Sequence, residues 1–351
     1  MKAVKWTFGI IVGLVAIGAV LWYTPTSEYV ILPGITENLN HVIRVRSGQT
    51  PKGRLLMVAV TLEQANLFYQ LYGRLTPYGQ VVPASEVTGP GGSSQQYEKE
   101  SELEMAAAKE YAKVAALDYL GYKARETGNG VLVYYDLPKM PASGKIKSGD
   151  LIVSVDGRPV STATALLNFM DSHVRPGEQV SLEVVRHGKR LAFTLPTVKD
   201  AADPKRPLIG VAIGTSGESF TIPVPISINP GDVSGPSAGM MFSLEIISQL
   251  RPSWHLTHNL TIAGTGEITP TGQVQPIGGI REKVITVYDA GAKVFLVPAD
   301  NYAAALSEER ELGIVTKMPL LKVHSLSQAV SDLRHLDLQA LRAKSAKLAA
   351  Y

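Results

Sequence analysis

The run from Trp6 to Tyr23 contains no charged residue. As a helix its 18 residues would span about 27 Å, close to the thickness of a bilayer's hydrocarbon core. Beyond it, residues 26 to 95 show short runs that predict strands and turns. Val42-Ile43-Arg44-Val45-Arg46 alternates, and Leu55 to Leu62 is a longer apolar strand. Thr88-Gly89-Pro90-Gly91-Gly92-Ser93-Ser94 reads as a loop. From Tyr97 to Leu120 the spacing turns helical, with Leu103, Ala107, Tyr111, Val114 and Leu117 on one face and Gly121 as the stop. Residues 122–198 predict a compact unit. A strand from Gly130 to Tyr135 leads to a Pro141-Ala142 turn, and a second strand, Leu151 to Val155, closes on Asp156-Gly157. A helix from Thr162 to Asp171 follows, then strands over Val180–Arg186 and Arg190–Leu195. Pro204 and Pro207 mark a linker, and from Leu208 onward strands and helices alternate, as in an α/β or α+β domain.

Composition narrows the picture. A chain of 351 residues, 45% hydrophobic and 19% charged, has material for two or three folded domains. The pattern divides it into a tail (1–5), an apolar helix (6–24), a spacer ending in a helix (25–121), the compact unit (122–198), a larger domain (208–335) and a basic tail (336–351). The net charge of +3 is small. Its one basic cluster, Arg342, Lys344 and Lys347, lies on an Ala- and Leu-rich helix and reads as a solvated end, with no nucleic-acid partner. The absence of cysteine excludes disulfides, thiolate catalysis and cysteine-ligated metals.

Lys2 and Lys5 precede the apolar run, and Trp6, Trp22 and Tyr23 stand where interfacial aromatics belong. The positive-inside rule then predicts a single-pass anchor with a cytoplasmic tail and everything after Pro25 outside the membrane. The rival is a cleaved signal peptide, with Ala16-Ile17-Gly18 as its small-residue site.

The segment Pro230-Gly231-Asp232-Val233-Ser234-Gly235-Pro236-Ser237-Ala238-Gly239 runs into an apolar helix, Met240 to Leu250, with Pro236 suited to a first helical position. Ser237 at a helix N-terminus would meet backbone N–H groups and a dipole that favour a negative oxygen, which is what acyl transfer requires. Gly235, Pro236 and Ala238 are the candidate backbone of that oxyanion site. An ordinary helix start would look similar, and Gly235-Pro236-Ser237-Ala238-Gly239 also fits G-x-S-x-G. That elbow needs a strand directly before it, whereas Asn229-Pro230-Gly231-Asp232 is a turn. Further on, Ile262-Ala263-Gly264-Thr265-Gly266-Glu267-Ile268 leads to Pro276-Ile277-Gly278-Gly279-Ile280-Arg281-Glu282-Lys283, which sets Lys283 in the first turns of a helix. Serine and lysine form a known pair of nucleophile and base, provided that burial keeps the lysine neutral. Glu267 and Glu282 read as structural. His255, His258, His324 and His335 lie in no recognisable motif. Gly264-Thr265-Gly266 lacks the third glycine of a dinucleotide loop, and neither G-x-x-x-x-G-K-[ST] nor H-E-x-x-H occurs, so no cofactor or metal is expected.

Two resemblances follow from these residues. Gly130-Val131-Leu132-Val133, the Pro-Ala turn, the Gly-Asp-x-Ile strand and Val155-Asp156-Gly157-Arg158-Pro159-Val160 resemble a bacterial PDZ domain. This implies a peptide groove between the strand from Gly130 and the helix from Thr162. Residues 208–335 resemble the Lon protease domain through the three motifs around Ser237, Thr265 and Lys283. The order of anchor, PDZ and Lon-like domain is similar to the SepM/YlbL group of bacterial surface proteases. The resemblance makes Ser237 the nucleophile, Lys283 the general base and Thr265 a hydroxyl that hydrogen-bonds near the lysine. It implies an ATP-independent extracytoplasmic endopeptidase acting on peptides or unfolded chains, and leaves oligomerisation open. Many Lon enzymes carry an acidic residue three before the serine, where this chain has Ser234, and Asp232 does not fill that role. The competing reading is a PDZ adaptor with an inactive Lon-like domain.

Overall fold

The computed structural model describes residues 2–76, 78–88, 92–200 and 203–349. The side chains of residues 2–10 lie outside the described part, as do residues 89–91 of the expected loop. The chain forms two compact units, one made of Met1–Lys123 with Pro223–Tyr351 and the other of Ala124–Ile222. The second is inserted into the first. The expectation of a spacer over 25–121 followed by two consecutive domains is thereby corrected.

The first unit opens with α1 (Lys2–Tyr23), β1 (Pro25–Asn38), α2 (Leu39–Val42), β2 (Ile43–Val45), β3 (Arg54–Asn66), α3 (Leu67–Leu75), β4 (Gln80–Pro83), α4 (Ala84–Val87) and α5 (Ser94–Tyr119). The inserted unit contributes β5 (Arg125–Thr127), β6 (Val131–Asp136), β7 (Leu151–Val155), β8 (Arg158–Pro159), α6 (Ala163–His173), β9 (Gln179–Arg186) and β10 (Lys189–Pro196). It ends with β11 (Val198–Lys199), β12 (Pro207–Leu208), β13 (Val211–Thr215) and β14 (Ser219–Thr221). The first unit resumes with β15 (Ile226–Ile228), α7 (Gly239–Leu250), β16 (Thr261–Gly264), β17 (Glu267–Ile268), β18 (Val274–Gln275) and α8 (Ile280–Asp289). It closes with β19 (Val294–Pro298), α9 (Tyr302–Glu311), β20 (Leu320–Val323), α10 (Leu326–Arg334) and α11 (Leu338–Ala349).

A six-stranded mixed sheet, in the order β20-β19-β16-β3-β1-β4, organises the first unit. β3, β16, β19 and β20 run parallel, and β1 is antiparallel to both β3 and β4. The apolar run in β3 follows from this position. Leu55 and Met57 join the core with Phe242 and Leu244 of α7. Leu56 and Val58 point into the opposite core with Val284 and Val287 of α8. A strand covered on both faces has no polar side to show. β2 pairs with β15 in a separate two-stranded sheet, so the expected spacer pairs with the strand that leads into the serine loop.

α5 begins at Ser94, with the Ser93 side chain accepting from the Gln96 amide. Its buried residues are Ser101, Met105, Ala108, Ala112 and Val114 to Leu117, so Val114 and Leu117 of the expected face are buried, whereas Leu103 is 62% exposed. Small residues win because they let the helix approach α7 closely, where Ser243 Oγ donates to the Ala112 carbonyl. Among the described residues no helix is long and apolar enough to cross a membrane. The expected anchor, 6–24, falls on α1 and in part on side chains outside the described residues. From Ile11 on, α1 leaves Ile11, Leu14, Val15, Ile17 and Val20 exposed. Its end meets α3, where Trp22 lies 5.7 Å from Phe68 and 5.9 Å from Tyr69 between ring centroids.

The inserted unit is built on the sheet β10-β9-β7-β6-β13, with β8 beside β7, around Ile152, Leu182, Val184 and Leu195. Asp156 and Gly157 both have positive φ, as the Asp-Gly turn requires. The expectation of an open edge at Gly130, Val131, Leu132 and Val133 is corrected. β6 lies between β7 and β13, with Val131 opposite Ile152 on one side and Thr215 on the other. The terminal strand on this side of the sheet is β13, which the sequence reading had assigned to the next domain. α6 is tied to it where the Ala163 amide donates to Thr215 Oγ1.

Candidate active site

Three segments far apart in sequence converge in the first unit on a cleft of about 1000 Å³ lined by Ser237, Glu267, Gly279 and Lys283. Ser237 sits just ahead of α7 and not inside it. α7 starts at Gly239, and a Gly239 N–H to Pro236 carbonyl bond of 3.2 Å makes Pro236 to Gly239 a tighter turn that feeds the helix. The loop before it is held by Gly235, whose φ of +85° is left-handed and whose amide donates to the Ser101 carbonyl of α5 at 3.0 Å. The turn is stitched to the corner between β16 and β17. The Ser237 carbonyl accepts from the Gly266 amide at 2.7 Å and from Thr265 Oγ1 at 3.1 Å, and the Met240 amide donates to the Gly266 carbonyl.

Lys283 arrives from the other side. Gly279 caps α8 at φ +65°, and a side chain there would begin 2.8 Å from Val60 Cγ1 of β3. One turn later the Lys283 amide donates to the Gly279 carbonyl. Its Nζ lies 2.8 Å from Ser237 Oγ and 3.1 Å from Thr265 Oγ1. Lys283 is 3% exposed. Burial disfavours its charged form and lowers its pKa to about 7, against a smaller opposing pull from Glu267. Glu267 itself is half-buried, and burial raises its pKa, helped by the nearby Glu104 and opposed by Lys283. A neutral amine here can accept the Ser237 proton along the contact it now makes as donor, so the arrangement can generate an alkoxide-like nucleophile.

The structure thus brings Ser237, Thr265 and Lys283 together. It does not place all three expected oxyanion donors. Pro236 has no N–H to give, and the Gly235 amide is committed to Ser101. Ala238 is left, its amide making no bond among the described residues. Among the described residues no histidine lines the cleft. His258 Nε2 is 2.7 Å from the Leu333 carbonyl and His335 Nδ1 is 2.9 Å from the Ser331 carbonyl. Glu282, beside Lys283 in sequence, is buried but is not among the described residues that line the cleft, and burial raises its pKa. Among the described residues no group of three or more His, Asp and Glu is placed to hold a metal ion. Ser101 and Val60 line the cleft and were missed, and Glu104 reaches the site only through its charge on Glu267. The one signal available was a serine in register with the small buried residues of α5.

Residues 216–331 match the family of the Lon protease (S16) C-terminal proteolytic domain, and residues 118–197 match the PDZ domain family. The chain is 36% identical over 132 residues to a Lon protease of Campylobacter concisus, covering 37% of this chain and 16% of that protein. It is 33% identical over 170 residues to a Lon protease of Phenylobacterium zucineum, covering 47% and 20%. It therefore spans a fifth or less of the length of these curated relatives. Among solved structures, the PDZ domain of an SdrC-like protein from Listeria monocytogenes aligns at 23% identity and a TM-score of 0.23, covering 25% of this chain and 90% of that one.

Proposed function

We propose that this chain, a PDZ domain set into a Lon-type proteolytic domain, is a serine endopeptidase working through Ser237 and Lys283. The observation that carries the reading is the buried amine at 2.8 Å from the serine hydroxyl, with its pKa lowered to about 7. Lys283 takes the Ser237 proton as Oγ attacks the scissile carbonyl carbon. The tetrahedral oxyanion forms near the Ala238 amide. As it collapses, Lys283 returns the proton to the leaving amine and an ester to Ser237 remains. Lys283 then deprotonates a water that hydrolyses the ester. Thr265, bonded to both the lysine and the serine carbonyl, holds the two segments in register.

No nucleotide-binding loop occurs in the sequence, which supports cleavage without ATP of peptides that reach the cleft already extended. The PDZ domain recruits them by strand addition along β13, since β6 is enclosed. The exposed apolar residues of α1 and the aromatic cluster at its end support membrane anchorage with the catalytic unit outside. Protease added to intact cells should then degrade the chain, and a mature N-terminus near Ala19 would overturn the anchor.

The test of the enzyme is labelling with a neutral serine-reactive probe, mapped by mass spectrometry, on the full chain and on a chain with Ala124–Ile222 replaced by a short linker. Ser237 should label in both, while the shortened chain cleaves protein substrates more slowly. Labelling elsewhere sinks the nucleophile, and equal cleavage of protein substrates sinks the role of the PDZ domain.

A further inference from the structure

The cleft around Ser237 carries charge of one sign. Glu37 of β1, Glu63 of β3, Glu86 of α4, Glu98 of α5, Asp232 of the serine loop and Glu267 of β17 line it. Among the described residues that line it, the only basic one is Lys283, which burial pulls towards neutrality. None of the six carboxylates takes part in a salt bridge among the described residues. The chain as a whole carries +3, so this acidity is local and not a property of the composition. The six come from separate elements around the cleft, unlike the solvated face of one helix. The same cleft holds Ser237 Oγ with Lys283 Nζ at 2.8 Å, an independent mark that a ligand is received there.

Like charges gathered around one cleft set up a field that attracts oppositely charged ligands. An anionic segment entering the cleft is repelled, whereas a cationic one is drawn in. We infer that these six carboxylates select Lys- and Arg-rich peptide segments as the substrates of this cleft, an inference that rests on the protease reading above.

The test uses the full chain in uncharged detergent and quenched-fluorescent peptides that share one scissile core, flanked by Lys/Arg, by Gln or by Glu. At low salt the cationic peptide should exceed the anionic one in kcat/KM by about tenfold to a hundredfold, within the range of electrostatic steering. The gap should narrow as NaCl shortens the screening length to a few ångströms. The triple variant Glu63→Gln/Glu86→Gln/Glu98→Gln should reduce the ratio of cationic to neutral kcat/KM severalfold. A flat or reversed charge series with Ser237 still labelled by a neutral probe overturns the selection and leaves the protease reading standing. A wild-type preference that the triple variant does not weaken overturns the assignment to these carboxylates. No labelling and no cleavage of any peptide overturns both readings.

Discussion

Lys283→Arg should leave a folded protein whose kcat/KM is at least about a thousandfold below wild type, as low as Ser237→Ala, because removing either partner of a nucleophile-base pair removes the same step. Arginine keeps the positive charge but stays protonated in proteins, so it cannot take the serine proton. A lysine needed only as a cation would tolerate the change. The wild-type rate should rise with pH, since the neutral amine is the active form, with a midpoint near the depressed value of about 7 and a plateau above it. Steady-state assays on both variants and a pH profile between 5.5 and about 9.5 decide the matter. Substantial cleavage by Lys283→Arg, or a rate that falls over that range, refutes the base.

The second large effect concerns stability. Lys283→Met should raise the unfolding midpoint, and more so at low pH. An unfolded lysine titrates at its ordinary value of 10.5, the folded one at about 7. Between these values the unfolded chain binds a proton that the folded chain does not, so stability rises with pH across the window. The penalty is present in full below the folded value. At about 1.4 kcal/mol per unit of depression, it amounts to on the order of 3–5 kcal/mol near pH 6, reduced by the loss of the bonds to Ser237 and Thr265. Titratable groups common to both proteins cancel in the difference. Thermal denaturation of wild type and variant at pH 6 and pH 9.5 should show a gap that shrinks as pH rises. A gap independent of pH, or a variant less stable at pH 6, rules out the buried amine as the source.

The segments that meet at the cleft were legible because their motifs are local. Ser237 and Thr265 sit among small residues, and Lys283 follows the Gly278-Gly279 bend by one helical turn. What was misread depends on distant pairing. The strand Val211 to Thr215 follows Pro204 and Pro207, which suggested a new domain where it in fact closes the inserted one. The apolar run of β3 gave a buried strand, yet its partner β16 lies some two hundred residues further on, in the same register as a direct neighbour. On α5 the expected face held at Val114 and Leu117, but towards its start close packing selected Ser101 and Ala108 over the larger Leu103. The oxyanion donors were inferred from nearness in sequence, which says nothing about where an amide points.

The ends of the inserted unit have a consequence for how the molecule assembles. β5 and β14 pair antiparallel, with Arg125 opposite Thr221 and Thr127 opposite Ser219. An unstructured loop of roughly a hundred residues would cost the host unit about 2–3 kcal/mol more to close than a five-residue turn. A folded insert with clasped ends removes most of that entropy loss, so the host behaves as if it carried a short connection. Unfolding of the insert alone would return the loss and loosen the catalytic unit without touching a residue in it. On the ribosome the sequence of events is fixed as well. The carboxylates Glu37, Glu63, Glu86 and Glu98 emerge before the insert, and Ser237, Thr265 and Lys283 after it. The two halves of the cleft can meet only once the insert has been made, so a nascent chain cannot assemble the cleft before Lys283 has been added.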